Sequence, residues 1–183
     1  ISITADAQQI QKIKNLSFVR YISERIPEQF ITAQIFDSTL NQDDKELLVK
    51  QITRLEGDQF AANGFTGKGI RIAVVDAGFP TVDTNPVFAH LHKNKRIIAV
   101  WDFTKKKPFV YDYNPHGTMV LSCIAGVTDG RKMGLAVDSE FLLARTEIER
   151  ESYVEEEYWL QAVEWADKNG ADETGDTATA TGW

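Results

Sequence analysis

One cysteine, Cys123, stands among 183 residues. That excludes an internal disulfide framework and a zinc site built on several thiolates, and says little about compartment. Long apolar runs are missing too: stretches such as Ile70 to Val75 are strand-sized and too short to span a bilayer. No cationic segment followed by an apolar one opens the sequence, so no signal peptide is expected within it. Basic residues are the scarcer charge, 20 against 27 acidic ones, for a net charge of -7. A surface with that excess of acid repels phosphate and argues against nucleic acid as a partner. Internal repeats are absent, and low complexity is confined to the C-terminal end. What remains is a globular balance, 43% hydrophobic and 26% charged, sufficient for one ordinary domain or part of a larger one.

Three boundaries follow from the patterning. Residues 1–36 alternate loosely, with Phe18, Val19, Tyr21 and Ile22 as a short strand-like run that Pro27 ends. The segment is too short for a core of its own and reads as an N-terminal arm or the remnant of something larger. Residues 37–172 form the main unit. Leu48, Ile52 and Leu55 make one helical stripe, and Gly64, Gly67 and Gly69 then supply turns. Ile70–Val75, interrupted only by Arg71, predicts a strand covered on both faces, with Arg96–Trp101 and Phe141–Arg145 as further buried strands. A helix opens at His116 with Val120, Cys123 and Ile124 on one face. Another follows a Ser152/Glu155 capping box, with Tyr158, Ala162, Trp165 and Ala166 as its stripe and Gly170 as its stop. Strands alternating with helices predict an α/β fold, a doubly wound, mostly parallel sheet with helices on both faces. Residues 173–183 have no apolar face and are expected to be a foreign or shifted tail without structure.

In such a sheet, chemistry gathers beyond the C-terminal ends of the strands. Asp76 falls there after the first strand, and Gly78 lets the chain turn away without covering its carboxylate. On these residues alone, an aspartate capping the next turn is as good a reading. His116, at a helix start and followed by Gly117, has room for a partner, although a lone histidine is more often a satisfied polar residue near the core. A neutral base beside an oriented carboxylate is the apparatus that activates a hydroxyl nucleophile.

Gly67-Lys68-Gly69 through Asp76-Ala77-Gly78-Phe79 resembles the aspartate motif of subtilisin-like serine proteases, the subtilases. His116-Gly117-Thr118 through Ala125-Gly126 resembles their histidine motif, and Gly134-Leu135-Ala136 their Gly-x-Ala. The helix from Glu156 to Asp167 resembles one found in a bacterial branch of the family. The two motifs, in this order and 40 positions apart, are fairly specific together. The resemblance implies a serine endopeptidase in which Asp76 orients the ring of His116, and His116 is general base and then general acid. It implies peptide or protein substrates, action outside the cytoplasm or in the cell envelope, and no cofactor. The family's structural calcium sites map onto no motif here. Phe18-Val19-Arg20-Tyr21 resembles weakly the last strand of a subtilase propeptide.

None of the seven serines, Ser2, Ser17, Ser23, Ser38, Ser122, Ser139 and Ser152, lies in a Gly-Thr-Ser-Met-Ala setting. The expectation is therefore a truncated catalytic domain that keeps the acid and the base, lacks the nucleophile, and is inactive alone. An exposed sheet edge and self-association follow from the same expectation. Two other readings stay open: a non-catalytic relative that binds peptides at a sheet edge, and a receiver-like domain phosphorylated on Asp76, which lacks the clustered acids that Mg²⁺ needs. His90 and His92, taken as one side of a strand with Asp83 or Asp76 as a third ligand, give a weak metal signal. Lys93, Lys95, Arg96 and Lys105–Lys107 read as solvated loops, and Phe65, Trp101 and Trp159 as packing.

Overall fold

The computed structural model describes residues 5–20, 22, 42–148 and 153–176. Helix α1 (Ala7–Lys14) is nucleated locally: the Asp6 carboxylate accepts the Gln8 and Gln9 N–H groups at 2.9 and 2.8 Å, and the Gln9 side chain accepts the Asp6 N–H. It buries no side chain. The strand-like reading of Phe18 and Val19 is corrected here, because Phe18 sits in the turn after α1, 78% exposed, with no strand beside it. Tyr21 lies outside the described residues. Helices α2 (Gln42–Arg54) and α3 (Gly57–Ala62) follow. The stripe anticipated on α2 holds for Leu48 and Ile52, which are half-buried. Leu55 lies past the helix end and is exposed.

The sheet consists of β1 (Arg71–Asp76), β2 (Ile97–Asp102), β5 (Glu140–Arg145) and β6 (Glu173–Asp176), in the order β2-β5-β1-β6 and parallel throughout. Between them come α4 (Ala89–Lys93), α5 (His116–Ala125), the two-residue strands β3 (Val127–Thr128) and β4 (Arg131–Lys132), and α6 (Tyr153–Lys168). Alternation along β1 and β5 divides the core into two layers. Val74, Phe141 and Leu143 face Phe88, Leu91, Leu121 and Ala125, which belong to α4, α5 and the turn before α4. Ala73, Val75, Leu142 and Ala144 face Ala162 and Ala166 of α6, with Tyr158 and Trp165 at the margin. The small residues on α6 let it lie close to β1. Helices therefore cover both faces, the α/β architecture anticipated from the alternation of elements.

Polar anchors fix the N-terminal end of the sheet. Arg71 donates to Glu140 from Nε and Nη2 at 2.9 and 2.6 Å, and to the Asn169 carbonyl that follows α6. Arg96 pairs with Asp138 and the Val137 carbonyl, so it is a half-buried tie rather than a solvated loop residue. One expectation fails outright: residues 173–176, read as unstructured, form β6. Asp172 leads them in, accepting the Arg71 N–H with its carboxylate and donating its own N–H to the Arg71 carbonyl, both at 2.8 Å. A parallel ladder is made by backbone groups, so a strand at the margin needs no apolar pattern of its own. Residues 177–183 lie outside the described residues, as does Ser152 of the capping box.

Candidate active site

Three adjacent strands end at one register. Asp76 of β1 pairs with Arg145 of β5, which pairs on its other side with Asp102 of β2. Strand alternation points all three side chains to the face that carries α5. The row thus runs acid, base, acid, and the structure divides it in two.

Asp76 is fully buried. Its Oδ1 accepts the Ala77 N–H at 2.7 Å, and its backbone carbonyl accepts the Thr146 N–H at 3.1 Å. The chain then swings aside at Gly78, whose φ of 150° favours glycine and where a Cβ would stand 2.4 Å from the Asp112 carbonyl oxygen. An antiparallel bridge from Gly78 to Tyr113 and a hydrogen bond from the Phe79 N–H to the Val110 carbonyl lay residues 110–113 alongside. Asn114 follows, and its side-chain oxygen accepts the His116 N–H at 2.9 Å, one of the donors that a helix start leaves open. Thr118 donates its hydroxyl to the Pro80 carbonyl, tying the first turn of α5 back to the segment after β1.

These contacts bring His116 to Asp76. His116 Nδ1 lies 3.0 Å from Asp76 Oδ1 and 3.1 Å from Oδ2. An ionised carboxylate only accepts, so with a neutral ring this contact selects the tautomer with the proton on Nδ1 and the lone pair on Nε2. The imidazole is 36% exposed while the carboxylate is sealed, leaving an oriented base with access from one side. Both residues singled out in the sequence are at this site.

The other half of the row was not foreseen. Arg145, 2% exposed, donates to Asp102 Oδ2 at 3.1 Å. Asp102 Oδ1 takes the Thr104 and Lys105 N–H groups and the Thr104 hydroxyl. The Arg145 guanidinium lies 3.7 Å from the Tyr113 ring centre. Lys105 and Lys107, read as solvated, both reach Asp112, at 3.5 and 3.3 Å. Burial pushes the Asp112 carboxyl up, but the Lys107 hydrogen bond and the charges of Lys105, Lys107 and Arg145 outweigh it and hold it below 3.8. Nothing in the spacing of Asp102 and Arg145 announces the pair. The one available signal was an arginine ending an apolar run.

The metal reading is corrected in its geometry. His90 and His92 lie on the short helix α4, not on a strand, and point apart: His92 Nε2 meets the Val82 carbonyl at 2.8 Å, whereas both His90 nitrogens are sealed from solvent. Among the described residues no three His, Cys, Asp or Glu side chains gather to hold a metal ion. Of the described serines, Ser122 donates to the Met119 carbonyl and Ser139 to the Gly67 carbonyl. Phe65 meets Phe60 edge-on but is 66% exposed, less of a packing residue than anticipated. Among the described residues no helix is long and apolar enough to cross a membrane.

Residues 67–173, more than half of the chain, match the profile of the subtilase family. Alkaline elastase YaB from Bacillus sp. (strain YaB) is 26% identical over 136 residues, covering 70% of this chain and 33% of the elastase. The chain therefore spans about a third of the length of the curated relative it matches. Among solved structures, MycP1 from the ESX-1 type VII secretion system superposes with a TM-score of 0.50 at 19% identity, covering 81% of this chain and 39% of that one. MycP1 from Mycobacterium smegmatis gives a TM-score of 0.48 at 21% identity, over 68% and 34% of the two chains. The first superposition shows a shared fold.

Proposed function

Because the chain belongs to the subtilase family, we propose that Asp76 and His116 are the acid and base of an Asp-His-Ser serine endopeptidase. The observation that carries this reading is the contact of a fully buried carboxylate with Nδ1 of a ring whose other nitrogen is left bare. In that arrangement Nε2 takes the proton of a serine hydroxyl as the oxygen attacks a peptide carbonyl, and Asp76 stabilises the imidazolium that forms. The same nitrogen then returns the proton to the departing amine, and the acyl-enzyme is hydrolysed by a water activated in the same way.

The nucleophile and the oxyanion donors belong outside these 183 residues in this reading, since no serine here stands in a Gly-Thr-Ser setting and the described Ser122 and Ser139 are spent on backbone carbonyls. Loss of the nucleophile in a subtilisin costs about 10⁶-fold in kcat, so residues 1–183 alone hydrolyse peptides no faster than background. Peptide or protein substrates, action outside the cytoplasm and association through the sheet edge belong to the same proposal.

The test is expression of the whole reading frame beside residues 1–183. The longer protein is expected to cleave a peptide substrate and to be blocked by a serine-directed covalent inhibitor, and the shorter one to do neither. Inhibitor-sensitive turnover by residues 1–183 overturns the placement of the nucleophile, and a whole frame that binds peptides without cutting them overturns the endopeptidase.

A further inference from the structure

We propose that Arg145 is a positioning residue for His116, acting through Tyr113. The inference rests on the reading of Asp76 and His116 as a catalytic pair. A guanidinium that is 2% exposed is costly unless its charge is matched and its faces are packed. Asp102 supplies the charge at 3.1 Å and the Tyr113 ring supplies the face at 3.7 Å, well inside the distance at which a cation is drawn to an aromatic ring.

The stack matters because of where Tyr113 sits in the chain. Its φ is 76°, a left-handed conformation that a bulky residue holds only when its surroundings impose it. Contacts that hold it include the antiparallel bridge to Gly78, two residues after Asp76, the guanidinium against the ring at 3.7 Å and, farther off, the Lys105 ammonium at 5.9 Å. From Tyr113 the chain passes to Asn114, whose side-chain oxygen accepts the His116 N–H and so sets the start of α5. Arg145 is also the strand neighbour of Asp76, at the same register of β1 and β5. One residue is thus joined by backbone to the element carrying the acid, and by its side chain to the segment delivering the base. Lysine would keep the charge toward Asp102 but has no planar face to stack.

The tautomer of His116 reads this directly and needs no turnover. In the chain of residues 1–183 with ¹⁵N-labelled histidine, His116 in the wild type is expected as the Nδ1–H form. Arg145→Lys and Tyr113→Leu are each expected to lower the ratio of Nδ1–H to Nε2–H by about tenfold, the size of one hydrogen bond to a charged acceptor. His92, whose Nε2 faces the Val82 carbonyl, is the internal control and is expected to stay unchanged. Tyr113 is 38% exposed, so Tyr113→Leu opens no core cavity and decides the matter if Arg145→Lys does not fold. A folded Tyr113→Leu protein with the wild-type ratio overturns the positioning role and leaves the pair intact. A wild-type ratio equal to that of Asp76→Asn overturns the pair itself, and the inference with it.

Discussion

Gly117 presses against Asp76: a Cβ on the glycine would stand 2.9 Å from the aspartate Cβ, 2.5 Å from the Gly78 carbonyl oxygen and 2.7 Å from the Phe79 ring. The glycine after the histidine is therefore a spacer of zero thickness between helix α5 and the end of β1, and it sets how near His116 comes to the carboxylate. Two of its three neighbours are backbone or rigid ring, so neither yields cheaply. Gly117→Ala is expected to cost about 1–3 kcal/mol of stability by overpacking. A urea titration checks it, and an unchanged midpoint would show that α5 moves away freely.

Asp76→Asn tests the acid. An asparagine keeps the shape but can donate toward Nδ1, which selects the wrong ring tautomer. In the whole reading frame, kcat for a peptide substrate is expected to fall by about 10⁴-fold with the fold retained. A loss under tenfold, measured on folded protein, removes Asp76 from the mechanism.

Asp102→Ala takes the nearer carboxylate away from a buried charge. Both partners of the Arg145–Asp102 pair are almost wholly buried, at 2% and 0% exposure, so deleting the carboxylate leaves a buried guanidinium with its longer pairing to Asp112 at 3.9 Å. The expected loss is about 3–5 kcal/mol in urea-induced unfolding. Asp102→Asn, which retains an acceptor for the Thr104 and Lys105 donors, is expected to lose less.

Acid weakens the fold in two stages. Burial first, and then the Arg96 charge, hold the His90 imidazole below 6.5, against smaller opposing pulls from the Ala125 and Val137 backbone and from Asp138. A base whose folded pKa is depressed is protonated first in the unfolded chain, so stability is full above 6.5 and declines as pH drops beneath it. The second stage comes from Asp138 and Asp112, both held below 3.8. For Asp138 the Thr66 hydrogen bond is the largest cause, outweighing burial with help from Arg96 and Lys132. For Asp112 the Lys107 hydrogen bond and the neighbouring charges outweigh burial. Their contribution is present above 3.8 and disappears as pH falls through the depressed values. Urea midpoints measured from neutral pH down to about pH 5 are expected to drop in the wild type and to drop less in His90→Leu. Equal slopes in the two proteins would clear His90.

Much of this was written in the residues. The runs at 70–75, 96–101 and 141–145 mark β1, β2 and β5 to within one position; β1 and β5 lie inside the sheet and are covered on both faces, which demands apolar residues along them. His116 with its following glycine marks a helix start, and Asp76 with Gly78 marks a strand end that turns away. What the residues concealed was held by tertiary context. Helix α1 depends on a short cap, Asp6 with Gln9, inside a stretch whose apolar residues suggested extension. Strand β6 has no apolar pattern because its ladder on β1 is made of backbone groups. Arg145 and Asp102 are 43 positions apart, and only the order β2-β5-β1 makes them neighbours.

The anchoring of Arg71 has a temporal consequence. Its partners Glu140 and Asp172 come 69 and 101 positions later in the chain. During synthesis β1 therefore leaves the ribosome well before β5 and β6, its lateral neighbours in the sheet. Closure across such intervals is slow and exposes sticky edges meanwhile. The acid at the tip of that strand is made before the β5 neighbour that flanks it.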